Sequence, residues 1–182
     1  TKSVEVAAEQ FERVGLPEFE RNSLNPLEAH NAVSQLFSDR RGRLWASFDH
    51  RLLRIEGGNV TLYQLWQEAG EATGDLDHRW IRGSAELQDG RILIATVKDI
   101  YEFIEPASAN QRGGWRRLPL TITPKQSIWQ IYPAASGGFW IGTESGLILY
   151  RDGQQTTYRI GNSPNPYTIH QMLTDRDGNL WI

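Results

Sequence analysis

Four histidines, His30, His50, His78 and His170, are the residues best suited to proton transfer or metal binding near neutral pH. None forms a His-x-x-x-His or His-Glu-x-x-His spacing, so a metal site or a Ser-His-Asp arrangement would have to be assembled from distant segments. Three short polar groups accompany them: Asp49-His50-Arg51, Lys98-Asp99 and Glu144-Ser145. Mixed charge of this kind suits a hydroxyl-rich ligand, whose orientation is set by several hydrogen bonds. A solvated loop has the same composition.

Asp175-Arg176-Asp177-Gly178-Asn179 invites a calcium reading. In the EF-hand register, however, Leu173 occupies the first ligand position. A hairpin turn whose backbone is capped by the Asp side chain accounts for the same residues, and for Asp39–Gly42 and Asp89-Gly90. There is no phosphate-cradling Gly-x-x-x-x-Gly-Lys motif and no Gly-x-Ser-x-Gly nucleophile elbow. Cysteine is absent, which excludes disulfides, thiolate metal sites and a cysteine nucleophile. Nineteen basic against twenty-two acidic residues argue against a nucleic-acid binder. No apolar run approaches the ~20 residues that span a bilayer.

The elements that would position these groups come from an internal repeat. Asp39-Arg40-Arg41-Gly42-Arg43-Leu44-Trp45, Gln88-Asp89-Gly90-Arg91-Ile92-Leu93, Ser136-Gly137-Gly138-Phe139-Trp140 and Asp175-Arg176-Asp177-Gly178-Asn179-Leu180-Trp181 are successive copies. Their turn glycines, at 42, 90, 137 and 178, are spaced by 48, 47 and 41 residues, the size of a propeller blade. Each copy reads as strands A to D. Strand A covers 33–37, 80–87, 128–132 and 169–174; strand B covers 44–48, 92–97, 139–143 and 180–182. Strand C covers 52–55, 100–104 and 147–150; strand D covers 60–65, 115–118 and 156–160. The expected fold is all-β: a β-propeller fragment of about three and a half four-stranded antiparallel blades of a larger ring.

Residues 1–17 read as a lead-in arm or short helix and 18–182 as the partial propeller. Within it we expect an orphan outer strand at 18–23, blades at 27–66, 79–119 and 127–160, and a half blade at 168–182. The orphan strand follows from an echo: Asn22-Ser23-Leu24-Asn25-Pro26 matches Asn162-Ser163-Pro164-Asn165-Pro166, which follows a D strand. Three and a half blades do not close a ring, so the remainder of the propeller or a second copy of the chain is an expected partner.

Strands alternate in direction, so B–C and D–A loops emerge on one face, where a funnel ligand would sit. The residues expected to contact it are His30, Asp49, His50, Arg51, Trp80, Lys98, Asp99, Trp129, Glu144 and His170. Trp45, Trp140 and Trp181 share one B-strand position and are expected between blades, where each would bury ~150–250 Å². Trp66, Trp80, Trp115 and Trp129 are off that register; Trp66, Trp80 and Trp129 lie toward the B–C and D–A face and are candidates for ligand stacking or for the core. No catalytic residue, metal ligand or cofactor is expected.

Asp-x-x-Gly-x-Leu-Trp at Asp175–Trp181 and Asp39–Trp45, with Phe139–Thr143, Gly146–Tyr150 and Gln154–Tyr158, resembles the two-component regulator propeller repeat. The Asp89–Thr96 copy departs from it, with Leu93 in place of Trp. The resemblance implies a seven-bladed ring in a periplasmic sensor module of a dimeric bacterial receptor, a hybrid histidine kinase or diguanylate cyclase. Such a module binds a small molecule or oligosaccharide and no nucleic acid. It meets the membrane only through segments C-terminal to this stretch, and any enzyme activity of the receptor would lie outside it. The competing readings are a propeller-type lyase or hydrolase with a central-funnel active site, and a protein-interaction scaffold.

Overall fold

A computed structural model describes residues 33–48, 51–65, 80–108, 111, 113–122, 126–161 and 167–182. The expected arm at 1–17 and outer strand at 18–23 lie outside these residues, as do His30, Asp49, His50, Trp66 and His78.

Among the described residues, fourteen strands form three four-stranded antiparallel meanders and a two-stranded ladder. Blade 1 contains β1 (Val33–Ser38), β2 (Leu44–Phe48), β3 (Arg51–Glu56) and β4 (Asn59–Gln64). Blade 2 contains β5 (Ile81–Glu86), β6 (Ile92–Thr96), β7 (Ile100–Ile104) and β8 (Gly114–Arg117). Blade 3 contains β9 (Ile128–Pro133), β10 (Phe139–Thr143), β11 (Gly146–Arg151) and β12 (Gln154–Tyr158). The half blade pairs β13 (Leu173–Thr174) with β14 (Leu180–Trp181). Adjacent blades approach through their A strands, β1 against β5 and β5 against β9. This is the architecture of part of a β-propeller, with A strands inside and D strands outside.

Alternation along the strands explains the stacking. In β6, Ile92 and Ile94 face blade 1, where they join Trp45, Leu52, Tyr63, Tyr101, Phe103 and Trp115. Leu93 and Ala95 face blade 3 and join Ile128, Ile131, Phe139, Ile141 and Ile148. Both faces of β6 are therefore buried, as the near-continuous apolar run Ile92–Ala95 requires. The outer β12, Gln-Gln-Thr-Thr-Tyr, is polar and largely exposed. The first interface is aromatic: Trp45 stacks on Phe37 at 6.1 Å and meets Phe103 and Trp115 edge-on at 5.1 and 5.6 Å. Trp115 thus belongs to the core.

The A–B turns repeat one geometry. Asp39, Leu87, Ala134 and Asp175 each accept the amide of the glycine three residues on, at 2.9–3.1 Å. Those glycines, Gly42, Gly90, Gly137 and Gly178, have φ of 76–89°, a region that side chains with Cβ enter at a cost.

Candidate functional site

The A strands carry a shared irregularity near the B–C turns. β1 pairs Val33 with Phe48 and then Gln35 with Ser47; β5 pairs Ile81 with Thr96 and then Gly83 with Ala95. β9 pairs Ile128 with Thr143 and then Gln130 with Gly142. In each blade one residue is bulged out of the ladder: Ser34, Arg82 and Trp129. A bulge re-aims its side chain and sharpens the local twist. His170 holds the same sequence place in the half blade, next to Ile169, whose N–H bonds Thr143 O at 2.9 Å. All four residues stand eight positions before their turn glycine.

Three of the four form a continuous row across blades. The Arg82 guanidinium lies over the Trp129 ring, 4.7 Å from its centroid, and the His170 ring meets Trp129 at 4.6 Å and 64°. Both neighbours are polar, so the row presents a cation, an indole and an imidazole together. The Arg82 Nε, Trp129 Nε1 and Gln130 Oε1 are buried without a hydrogen-bond partner. Gln35 anchors the blade 1 side, donating to Arg82 O at 2.7 Å and accepting from Ser84 Oγ at 3.2 Å. Ser34 itself turns to Ser47 Oγ at 2.8 Å.

Trp129 and His170, both expected from the sequence, are thus brought together. The remaining described candidates serve the surrounding loops. Lys98 Nζ donates to Gln126 O, tying a B–C turn to the following D–A connection. Asp99 pairs with Arg117 at 2.7 Å, and its amide donates to Thr96 Oγ1 at 3.1 Å. The Glu144 amide bonds Ser127 O at 3.2 Å. Arg51 opens β3 half-buried, with its Nε unpartnered, and Trp80 is half-buried ahead of β5. Trp129 is clasped between blades, so its ring is not an open stacking platform while Arg82 and His170 hold it. Arg82 was not expected from the sequence; its offset from Gly90, shared with Trp129, is the signal that identifies it.

The opposite, A–B end is occupied by structural charge. Asp39 accepts from Arg41 and Arg43 amides at 3.0 Å each, from Arg43 Nε at 2.6 Å and from Trp45 Nε1 at 2.9 Å. Arg43 continues into blade 2 as a two-pronged pair with Glu105 at 2.8 and 2.9 Å. Burial works against ionisation of Asp39, but the hydrogen bonds from Trp45 and Arg43 outweigh it and hold its carboxyl below the usual range. Asp175 repeats the arrangement with Asn179 and Trp181, whose hydrogen bonds lower its pKa to about 2. Both aspartates therefore cap turns. Two grooves open on the outer side. One, of about 800 Å³, lies beside Arg43 and Glu105; the other, of about 510 Å³, lies beside Arg116 and Tyr150. Neither is lined by a residue of the bulge row. Among the described residues no group of His, Asp or Glu is placed to hold a metal ion.

No family model and no curated protein matches the sequence. Solved structures do match its fold. Virginiamycin B lyase from Staphylococcus aureus superposes with a TM-score of 0.60 at 17% identity, over 82% of this chain and 47% of the lyase. The extracellular domain of a hybrid two component system from B. thetaiotaomicron gives 0.61 at 14% identity, over 82% of this chain and 20% of that one. A second such domain from B. thetaiotaomicron gives 0.59 at 17% identity, with the same coverage. The likeness establishes a propeller fold. The chain spans about half of the lyase and a fifth of the sensor domains.

Proposed function

We propose that this chain is part of the periplasmic, ligand-sensing propeller of a bacterial transmembrane receptor, a two-component histidine kinase or diguanylate cyclase, and that it binds a small molecule or oligosaccharide. The observation that carries this reading is the Arg82–Trp129–His170 row, a polar and aromatic set drawn from three successive blades at the B–C turn end. Such a site spans blades, so a ligand bound there would alter how blades sit against one another. It would signal to the extent that two receptor states bind it with different affinity. The Asp-x-x-Gly-x-Leu-Trp copies and the likeness to extracellular domains of two-component systems support the receptor setting.

Alkaline phosphatase fused after Ile182 in the native reading frame tests the location. Active enzyme is expected; inactive enzyme of equal abundance overturns the periplasmic assignment. Thermal-shift screening against defined oligosaccharides, with chromatography of each ligand after incubation, tests the role. A shift with intact ligand is the expected result. Conversion of the ligand would favour a propeller lyase instead, with His170 as the first residue to mutate.

A further inference from the structure

Arg82 differs from most of the described arginines. Seven others lie 2.6–3.9 Å from a carboxylate oxygen. The Arg82 guanidinium has neither a carboxylate nor any hydrogen-bond acceptor among the described residues; its one partner is the Trp129 ring. Beside it, Trp129 Nε1 is an unused donor and Gln130 Oε1 an unused acceptor. Buried polar atoms without partners cost free energy; of the six among the described residues, these three fall together on two adjacent A strands. The set is specific in kind: a planar cation, an N–H donor and one carbonyl acceptor.

The geometry points to a carboxylate-bearing ligand that also carries a hydroxyl, bound at the bulge row. The carboxylate oxygens would take the Arg82 fork and the Trp129 indole N–H, and the hydroxyl would donate to Gln130 Oε1. Arginine favours a carboxylate over a neutral group because its planar donors match the two oxygens and the hydrogen bonds are charge-assisted. Arg82 reaches the ligand by turning off the Trp129 ring, a side-chain rotation that breaks no ladder hydrogen bond. This inference rests on the B–C turn end being a ligand site and adds the chemical class of what it takes.

Calorimetric titration with galacturonate, galactose and acetate tests it, on wild type, Arg82→Gln and Arg82→Lys. Galacturonate should bind about tenfold or more tighter than galactose, the margin a charge-assisted pair supplies. Arg82→Gln should abolish that margin, and Arg82→Lys, which keeps the charge but not the planar fork, should reduce it. If Arg82→Gln does not fold, the lysine variant decides. Equal binding of galactose and galacturonate, or a margin that survives both variants, overturns the carboxylate site and leaves the sensor reading standing. Acetate binding that depends on Arg82, with neither sugar bound, supports the carboxylate site and overturns the saccharide part of that reading. Absence of binding by all three overturns the inference, while the phosphatase fusion judges the receptor reading independently.

Discussion

The indole N–H of Trp45 donates to the Asp39 carboxylate at 2.9 Å, six residues back across the A–B turn. Trp181 and Asp175 repeat the bond at 2.8 Å. Where the aspartate position carries Leu87, the tryptophan position carries Leu93, and both are buried. Blade 3 combines Ala134 with Trp140, which is half-buried and meets Tyr158 edge-on at 5.5 Å. The aspartate and tryptophan therefore act as a unit that joins turn to core.

Removing one member of that unit should be costly where it is buried. Asp39→Ala leaves the Arg43 Nε, on a side chain 3% exposed, and the Trp45 N–H without their acceptor. We expect a loss of about 3 kcal/mol in urea unfolding, as for other broken buried pairs. Asp175→Ala, at an exposed turn, should cost clearly less.

Acid should reveal the same groups. The folded-state pKa of Asp39 is lowered, and that of Asp175 is lowered to about 2. Their contribution is complete above the unfolded carboxylate value of ~3.9 and is lost as pH falls through the folded value. The melting temperature should be insensitive to these two groups between about pH 7 and 5 and should fall below about pH 4. In Asp39→Asn part of that acid-dependent fall should disappear.

The tryptophans of the repeat should rank by burial. Trp45→Ala removes a fully buried ring from an aromatic cluster and should cost about 3–5 kcal/mol. Trp181→Ala, at 59% exposure, should change stability by no more than about 0.5 kcal/mol in this chain. Chemical denaturation of the two variants side by side measures the difference.

Installing the unit in blade 2 should be cooperative. Leu93→Trp alone overpacks a closed interface and should cost about 1–3 kcal/mol, while Leu87→Asp alone buries an unpaired carboxylate. The double variant regains the indole–carboxylate bond, so a double-mutant cycle should give a favourable coupling of about 1 kcal/mol or more.

Gly142 tests the seam beside the bulge row. A Cβ there would fall 2.7 Å from Ile169 O and 3.0 Å from Ile169 Cγ2. Gly142→Ala should displace Ile169, weaken its bond to Thr143 O and move His170 off Trp129. Faster amide exchange at Ile169, with a loss of about 1–3 kcal/mol from overpacking, is the expected readout.

The blades were legible because turn glycines and apolar B strands recur in phase: Gly42, Gly90, Gly137 and Gly178 set the register, and Leu44, Ile92, Phe139 and Leu180 follow at fixed offsets. The capping role of Asp175 followed from its place before the turn glycine. The bulges were not legible, since strict alternation along strand A assigns Arg82 and Trp129 to ladder positions they do not occupy. Trp129 is an aromatic off the core register, whereas nothing in its residue type sets Arg82 apart from the other arginines of the sequence. Trp115 could not be placed from spacing alone; packing against Trp45 at 5.6 Å puts it in the core.

A bulged residue stands outside the pairing rules that constrain its neighbours. Ser34, Arg82 and Trp129 can therefore differ so widely while the ladders on either side keep one register. Repeated duplication of a blade would copy the frame and leave this position open to drift. Descendants of one ancestral blade could then diversify in what they recognise through single substitutions at a site the fold does not police.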